Sequence, residues 1–302
     1  MLLTINLIGN SLLQAHPDIK KIISDLAALK LFNIQHSTFN IQHSTFNIHH
    51  SPLTMSSNFL LEVCAFNIQS CIIAEKAGAF RVELCDNPVE GGTTPSHGAI
   101  LQTRERISIQ LYPIIRPRAG NYFYDGDEFE IMKKDISLCK QSGCDGISVG
   151  IQKKNGEIDT DRLKKIVEWA YPLGVTCNRA FDAAPDAFKA LEDIISCGCE
   201  RILTSGQKSA APDATAILAS LIEQADERVI IMPGAGVRSS NIEKLIRETG
   251  ATEYHTSARK VVENNITHQN PEILDIGNVY LADENELHKI LSIAYQFENL
   301  KF

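Results

Sequence analysis

Two short stretches each place a carboxylate and a thiol two residues apart. LEVC (61–64) carries Glu62 and Cys64, and VELC (82–85) carries Glu83 and Cys85. Side chains on a β-strand alternate with period two, so each acid and its thiol face the same way. Buried carboxyls with shifted pKa values do general acid–base work. Thiolates hold soft metals such as Cu(I). Between the two stretches, 67–78 reads as a helix with Ile68, Cys71, Ile72 and Ala74 available to one face. Strand, helix, strand is a βαβ unit. Two neighbouring parallel strands are therefore expected to lie side by side, each carrying an acid and a soft thiol.

The elements that must position them follow in regular alternation. Strands are expected at 110–116, 146–150, 175–181, 201–205, 229–233 and 253–257. Helices are expected from about Ser96 and over 127–142, 159–171, 185–197, 213–225 and 240–249. Alternating strands and helices imply parallel pairing, and eight such units match the usual length of a (β/α)8 barrel. An open doubly wound sheet would carry a Gly-rich turn after its first strand; CAFNIQS has no glycine. The expected fold class is α/β, a single-domain (β/α)8 TIM barrel spanning 55–302. Its tail from Lys260 contains one more helical stretch at 284–297, and no nucleotide cofactor is expected.

Residues 1–54 differ in kind. After a helix-like stretch at 18–31, FNIQHST at 32–38 recurs unchanged at 39–45 and decays to FNIHHSP at 46–52. A seven-residue unit is too short for a structural repeat. Its histidines (His36, His43, His49, His50) invite a metal reading, but a duplicated low-complexity tract is the favoured account of them. The expectation is a short non-barrel N-terminal extension: either Met55 is the natural start, or residues 1–54 are a poorly ordered addition.

Of the 302 residues, 44% are hydrophobic and 22% charged, enough for a sizeable core. The formal net charge of −8 leaves no basic footprint for nucleic acid or an anionic membrane. No apolar run is long enough for a membrane span. Eight cysteines without a CxxC pair read as reduced thiols in a cytosolic protein.

In such barrels active sites gather at the C-terminal ends of the strands, and here those ends are polar. Glu62, Glu83, Arg116, Asp182 and His255 form a candidate catalytic ring, in which Glu62 and Glu83 are expected to pair with Arg116. Gly-rich turns at 91–96, 204–206 and 233–237 each precede a helix, a ready setting for anions. Arg118, Ser205, Gly206, Gly234, Gly236, Ser257 and Arg259 are the candidate anion-binding set. These residues fit an enzyme acting on a small anionic or phosphorylated metabolite by carboxylate acid/base chemistry. A purely structural reading has the charges neutralising one another and the cysteines buried and inert.

LEVC, VELC with EGGTTPS, IIRPRAGNYFY, NRAFD, RILTSG, IIMPGAGV with Asn241, and HTSAR, in this order, resemble CutC, the copper homeostasis family of single-domain barrels. The resemblance covers about 59–259. It implies a (β/α)8 barrel, a cytoplasmic location, a copper-handling role, assembly into a homo-oligomer, and Cu(I) held by Cys64 and Cys85. Two positions depart from the family pattern. Asn178 stands where the family usually has histidine, so an acid, base or ligand role there does not carry over. Asn67 stands where aspartate is frequent.

Overall fold

The computed structural model describes residues 59–262, 266, 268, 272 and 278–299. The expectations for 1–54 lie outside the described residues. Eight parallel strands alternate with helices: β1 (Leu60–Ala65), α1 (Ile68–Ala77), β2 (Arg81–Leu84), α2 (His97–Arg106), β3 (Gln110–Ile115), α3 (Gly126–Gln141) and β4 (Gly146–Val149). Next come α4 (Thr160–Ala170), β5 (Gly174–Cys177), α5 (Ala187–Cys197), β6 (Arg201–Thr204), α6 (Thr215–Ala225), β7 (Ile230–Pro233), α7 (Ile242–Thr249) and β8 (Glu253–Thr256). The strands run β7-β6-β5-β4-β3-β2-β1-β8 around a nearly closed (β/α)8 barrel. A short antiparallel ribbon, β9 (Arg259–Val261) with β10 (Tyr280–Ala282), precedes α8 (Glu284–Asn299) and is an addition to the expected architecture.

Helix starts follow local chemistry. Asn67 caps α1 by accepting from the Ser70 N–H at 2.9 Å, and its Nδ2 donates to the Tyr280 carbonyl, tying β10 to the barrel. Asp125 and Glu128 form a reciprocal capping box on α3. β5 is shorter than its pattern suggests. Asn178 accepts from the Ala180 N–H at 3.0 Å and turns the chain out of the sheet into a 3-10 turn at Phe181–Ala183.

Alternation along the strands separates two kinds of side chain. Leu61, Val63, Val82, Leu84, Ile115 and Ile147 are buried in the hydrophobic cluster with the helices. The barrel interior, by contrast, is ionic. Glu253 receives Arg81 Nη2 at 2.6 Å and Arg201 Nε at 2.6 Å, and Arg81 Nε also donates to Glu62. All four residues are at most 5% exposed. Both guanidinium groups lie over the Tyr112 ring, at 5.1 and 5.7 Å. Tyr112 needs glycine on the facing strands: an added Cβ at Gly146 would meet its ring at 2.1 Å, and one at Gly174 its hydroxyl at 2.4 Å.

Buried charges are tolerated only when paired, and removing one partner leaves the others stranded. Glu253→Gln is therefore expected to cost about 3–5 kcal/mol, read from the urea midpoint. A change below ~0.5 kcal/mol would show that Arg81 and Arg201 find other partners.

Candidate functional site

At the C-terminal ends of the strands lies a cavity of about 690 Å³. Its position relative to the strands follows from the barrel register. Parallel strands in a closed barrel are staggered, and β1 and β2 pair with Glu62 opposite Arg81 and Cys64 opposite Glu83. On its other side β1 sets Glu62 beside His255 of β8. The two thiols are thus not level with one another. Cys64 lines the cavity with Glu83 and His255, while Cys85, one residue past β2, does not. The sulfurs still lie 3.7 Å apart. Ligand atoms of Cys64, Glu83 and His255 all fall within 4.8 Å of one another, a grouping that can hold a metal ion.

Glu62 stands behind this group. One of its oxygens accepts from His255 Nδ1 at 2.7 Å and the other is taken by Arg81. The expected pairing of Glu62 and Glu83 with Arg116 is therefore corrected: Arg81, at the level of Glu62, claims it first. Arg116 instead donates to the carbonyls of Glu90, Gly92 and Gly120 at 2.9, 2.6 and 2.7 Å, and lies over the Tyr122 ring.

The anion-binding set is divided. Arg118 turns away to Glu128, Asn121 and the Phe123 carbonyl and does not line the cavity. The turn after β6 already holds an anion, the chain's own Asp182. Its carboxylate accepts from Thr204 Oγ1 at 2.5 Å, the Ser205 N–H at 3.1 Å and the Gln207 N–H at 3.2 Å, and pairs with Arg179 at 2.8 Å. Ser205 and Gly206 are thus committed to Asp182 and Thr204. The Gly234 N–H is spent on the Thr204 carbonyl. A Cβ added there would meet Leu203 Cδ1 at 2.3 Å and crowd His255 at 3.3 Å, so a larger residue would have to displace the Leu203 side chain. Gly236, Ser257 and Arg259 do line the cavity. Arg259 donates to the Pro88 carbonyl and stacks on Tyr280 at 4.9 Å.

The buried Arg81, Arg201 and Glu253 lie outside the candidate set, although RVEL and EYHT show charges at period two inside strands. Tyr122 and Arg238, which also line the cavity, carry no such local signal.

The model of the CutC family matches residues 59–260. The chain belongs to the CutC family. It is 46% identical over 228 residues to a CutC family protein of Parabacteroides distasonis, covering 75% of this chain and 93% of that one. It is 48% identical over 200 residues to one of Chromobacterium violaceum, covering 66% and 81%. A crystal structure of CutC from Streptococcus agalactiae, named for copper homeostasis, superposes with a TM-score of 0.63 at 33% identity, covering 66% of this chain and 98% of that one. Phosphoribosylanthranilate isomerase of Thermotoga maritima, at 9% identity and TM-score 0.51, shares the fold alone.

Proton positions at this CutC-family site follow from burial and pairing. Burial opposes charge on Glu62, but Arg81 and His255 outweigh it and hold its pKa at about 2. Cys64 is lowered to about 5, first by hydrogen bonding from Cys85, against burial, and further by His255. Burial also opposes charge on His255, yet Cys64, Glu62 and Glu83 raise it well above its usual value. Glu83 is pushed up to about 8 by burial and by the neighbouring Cys64 charge. Burial and Cys64 push the Cys85 thiol up. These shifts favour a Cys64 thiolate beside a His255 cation at neutral pH, with Glu62 held ionised and Glu83 moved toward its protonated form. Such a group can ligate a soft metal or exchange a proton with a bound molecule.

Only the thiolate reacts with alkylating agents. Iodoacetamide, read by peptide mass spectrometry across pH 4 to 9, is expected to modify Cys64 with a midpoint near pH 5 and to spare Cys85. A Cys64 midpoint near the ordinary thiol value would refute the ion pair with His255.

Proposed function

We propose that the chain serves copper homeostasis by binding Cu(I) at Cys64, with His255 and Glu83 beside it and the Cys85 sulfur within reach. The observation that carries this reading is the convergence of three ligand atoms within 4.8 Å at the cavity wall. The donor set fits the ion. Cu(I) is soft and favours thiolate, and imidazole also suits copper. The second sulfur, 3.7 Å from the first, adds another soft donor. A name tied to copper homeostasis on the Streptococcus agalactiae relative supports the same reading.

Within this proposal the residues have separate tasks. Cys64 supplies the ionised sulfur. Glu62 orients His255 through Nδ1, leaving Nε2 as the ligating nitrogen once its proton is released. Because His255 starts protonated, ion binding expels a proton, and affinity rises with pH through neutrality. The eight unpaired cysteines suit a cytoplasmic setting, where thiols stay reduced. Residues 55–302 are proposed to carry the function, and assembly into a homo-oligomer is carried as an expectation of the family resemblance.

Titration of reduced protein with Cu(I) against a competing chelator tests this. Cys64→Ser is expected to weaken binding by about 100-fold or more, and Glu62→Gln by about 10- to 100-fold through loss of ring orientation. Unchanged affinity in Cys64→Ser would sink the proposal. Protein begun at Met55 is expected to fold and bind Cu(I) like the full chain, and loss of binding would show that the first 54 residues take part.

A further inference from the structure

The cavity holds more recognition chemistry than a metal ion uses. Asn178, 3% exposed, lines it. Its Oδ1 accepts from the Ala180 N–H, which identifies the other amide atom as Nδ2, and Nδ2 has no partner among the described residues. A buried donor left unpaired costs about 1–3 kcal/mol, so the usual explanation is a group that arrives with a ligand. The backbone makes room for this amide: at Gly150 an added Cβ would meet Asn178 Oδ1 at 2.2 Å.

Arg116 supplies a second, independent observation. It is 4% exposed and lines the same cavity. Its hydrogen-bond partners are three backbone carbonyls, and no carboxylate pairs with it among the described residues. Carbonyl dipoles hold a guanidinium in place without cancelling its charge, and a buried uncompensated cation is costly. Arg238 and Arg259 also line the cavity without an acidic partner among the described residues. The chain is acidic overall, at −8, yet this cavity is lined by five Lys/Arg side chains against the three carboxylates of Glu83, Glu90 and Asp182, a local positive excess that favours small anions. Its volume of about 690 Å³ suits a small organic molecule.

We propose that the cavity is a binding site for a small organic oxyanion, a carboxylate or phosphate, whose oxygens accept from Asn178 Nδ2 and compensate Arg116. This site differs from the one first read from the Gly-rich turns. The turn after β6 is filled by Asp182, and Arg118 is bound elsewhere. It extends beyond the metal reading, because neither Asn178 nor Arg116 belongs to the group of ligand atoms around Cys64.

Metal-free, reduced full-length protein is titrated by calorimetry with succinate and, separately, with glycerol 3-phosphate; the two arms distinguish carboxylate from phosphate. Saturable binding of either, weakened about tenfold or more in Asn178→Asp, is the expected result. That substitution keeps the acceptor for Ala180 and replaces the unpaired donor with a carboxylate oxygen, which also repels an anion; its folding is checked by circular dichroism. Arg116→Gln, checked for folding by circular dichroism, is expected to weaken the same ligand. Cys64→Ser is expected to bind the anion normally while losing Cu(I), and Asn178→Asp to keep Cu(I), so the two readings fail separately. Saturable binding of neither probe, or equal affinity in wild type and Asn178→Asp, overturns the inference.

Discussion

The carboxylate of Glu253, shared between two guanidinium groups inside a barrel, is the contact on which the site rests. Arg81 reaches from it to Glu62, and Glu62 reaches to His255. A chain of buried ion pairs therefore runs from the barrel interior to the cavity wall. Each link fixes the next, because in a low-dielectric interior no member can leave its partner without stranding a charge. The His255 ring owes its orientation to a carboxylate that Arg81 holds ionised. Cys64 owes part of its thiolate character to that ring. Apolar packing supports the strands from outside, but the interior is specified by charge.

Stagger decides who meets whom. Adjacent parallel strands in a closed barrel are offset, so equivalent positions in LEVC and VELC are not neighbours. Glu62 lies opposite Arg81, and Cys64 opposite Glu83. The consequence is a mixed group of sulfur, carboxyl and imidazole in place of two level thiols. Cys85 acts on Cys64 from outside the cavity lining. The same geometry separates Arg116 from both glutamates and leaves it with backbone carbonyls as partners.

Much of the fold was legible because its signals are local. Apolar runs of four to six residues, the helical spacing between them and the absence of glycine after β1 are short-range facts that survive into the structure. The β9–β10 ribbon carries no local signal, because its strands are three residues each and lie nineteen positions apart at their nearest ends. Asn178 follows the apolar run of β5, a setting that favours strand, while its own amide bends the chain away. At the site, Cys64, Glu83 and His255 were recognisable by type. Asp182 as the internal occupant of the turn after β6 was not, since nothing in TSG shows which carboxylate will fill it.

By itself the sequence determined that eight strands alternate with helices, and that their ends carry acids, arginines, a histidine and thiols. Those features depend on residues a few positions apart, where propensity and periodicity act directly. Only the tertiary structure decided the partnerships: Arg81 with Glu62 and Glu253, His255 with Glu62, Cys64 with Glu83, Asp182 with the turn after β6. A charge pairs with whatever opposite group lies nearest in a dry interior. Distance there is set by the stagger and closure of the barrel, which no local stretch of chain records.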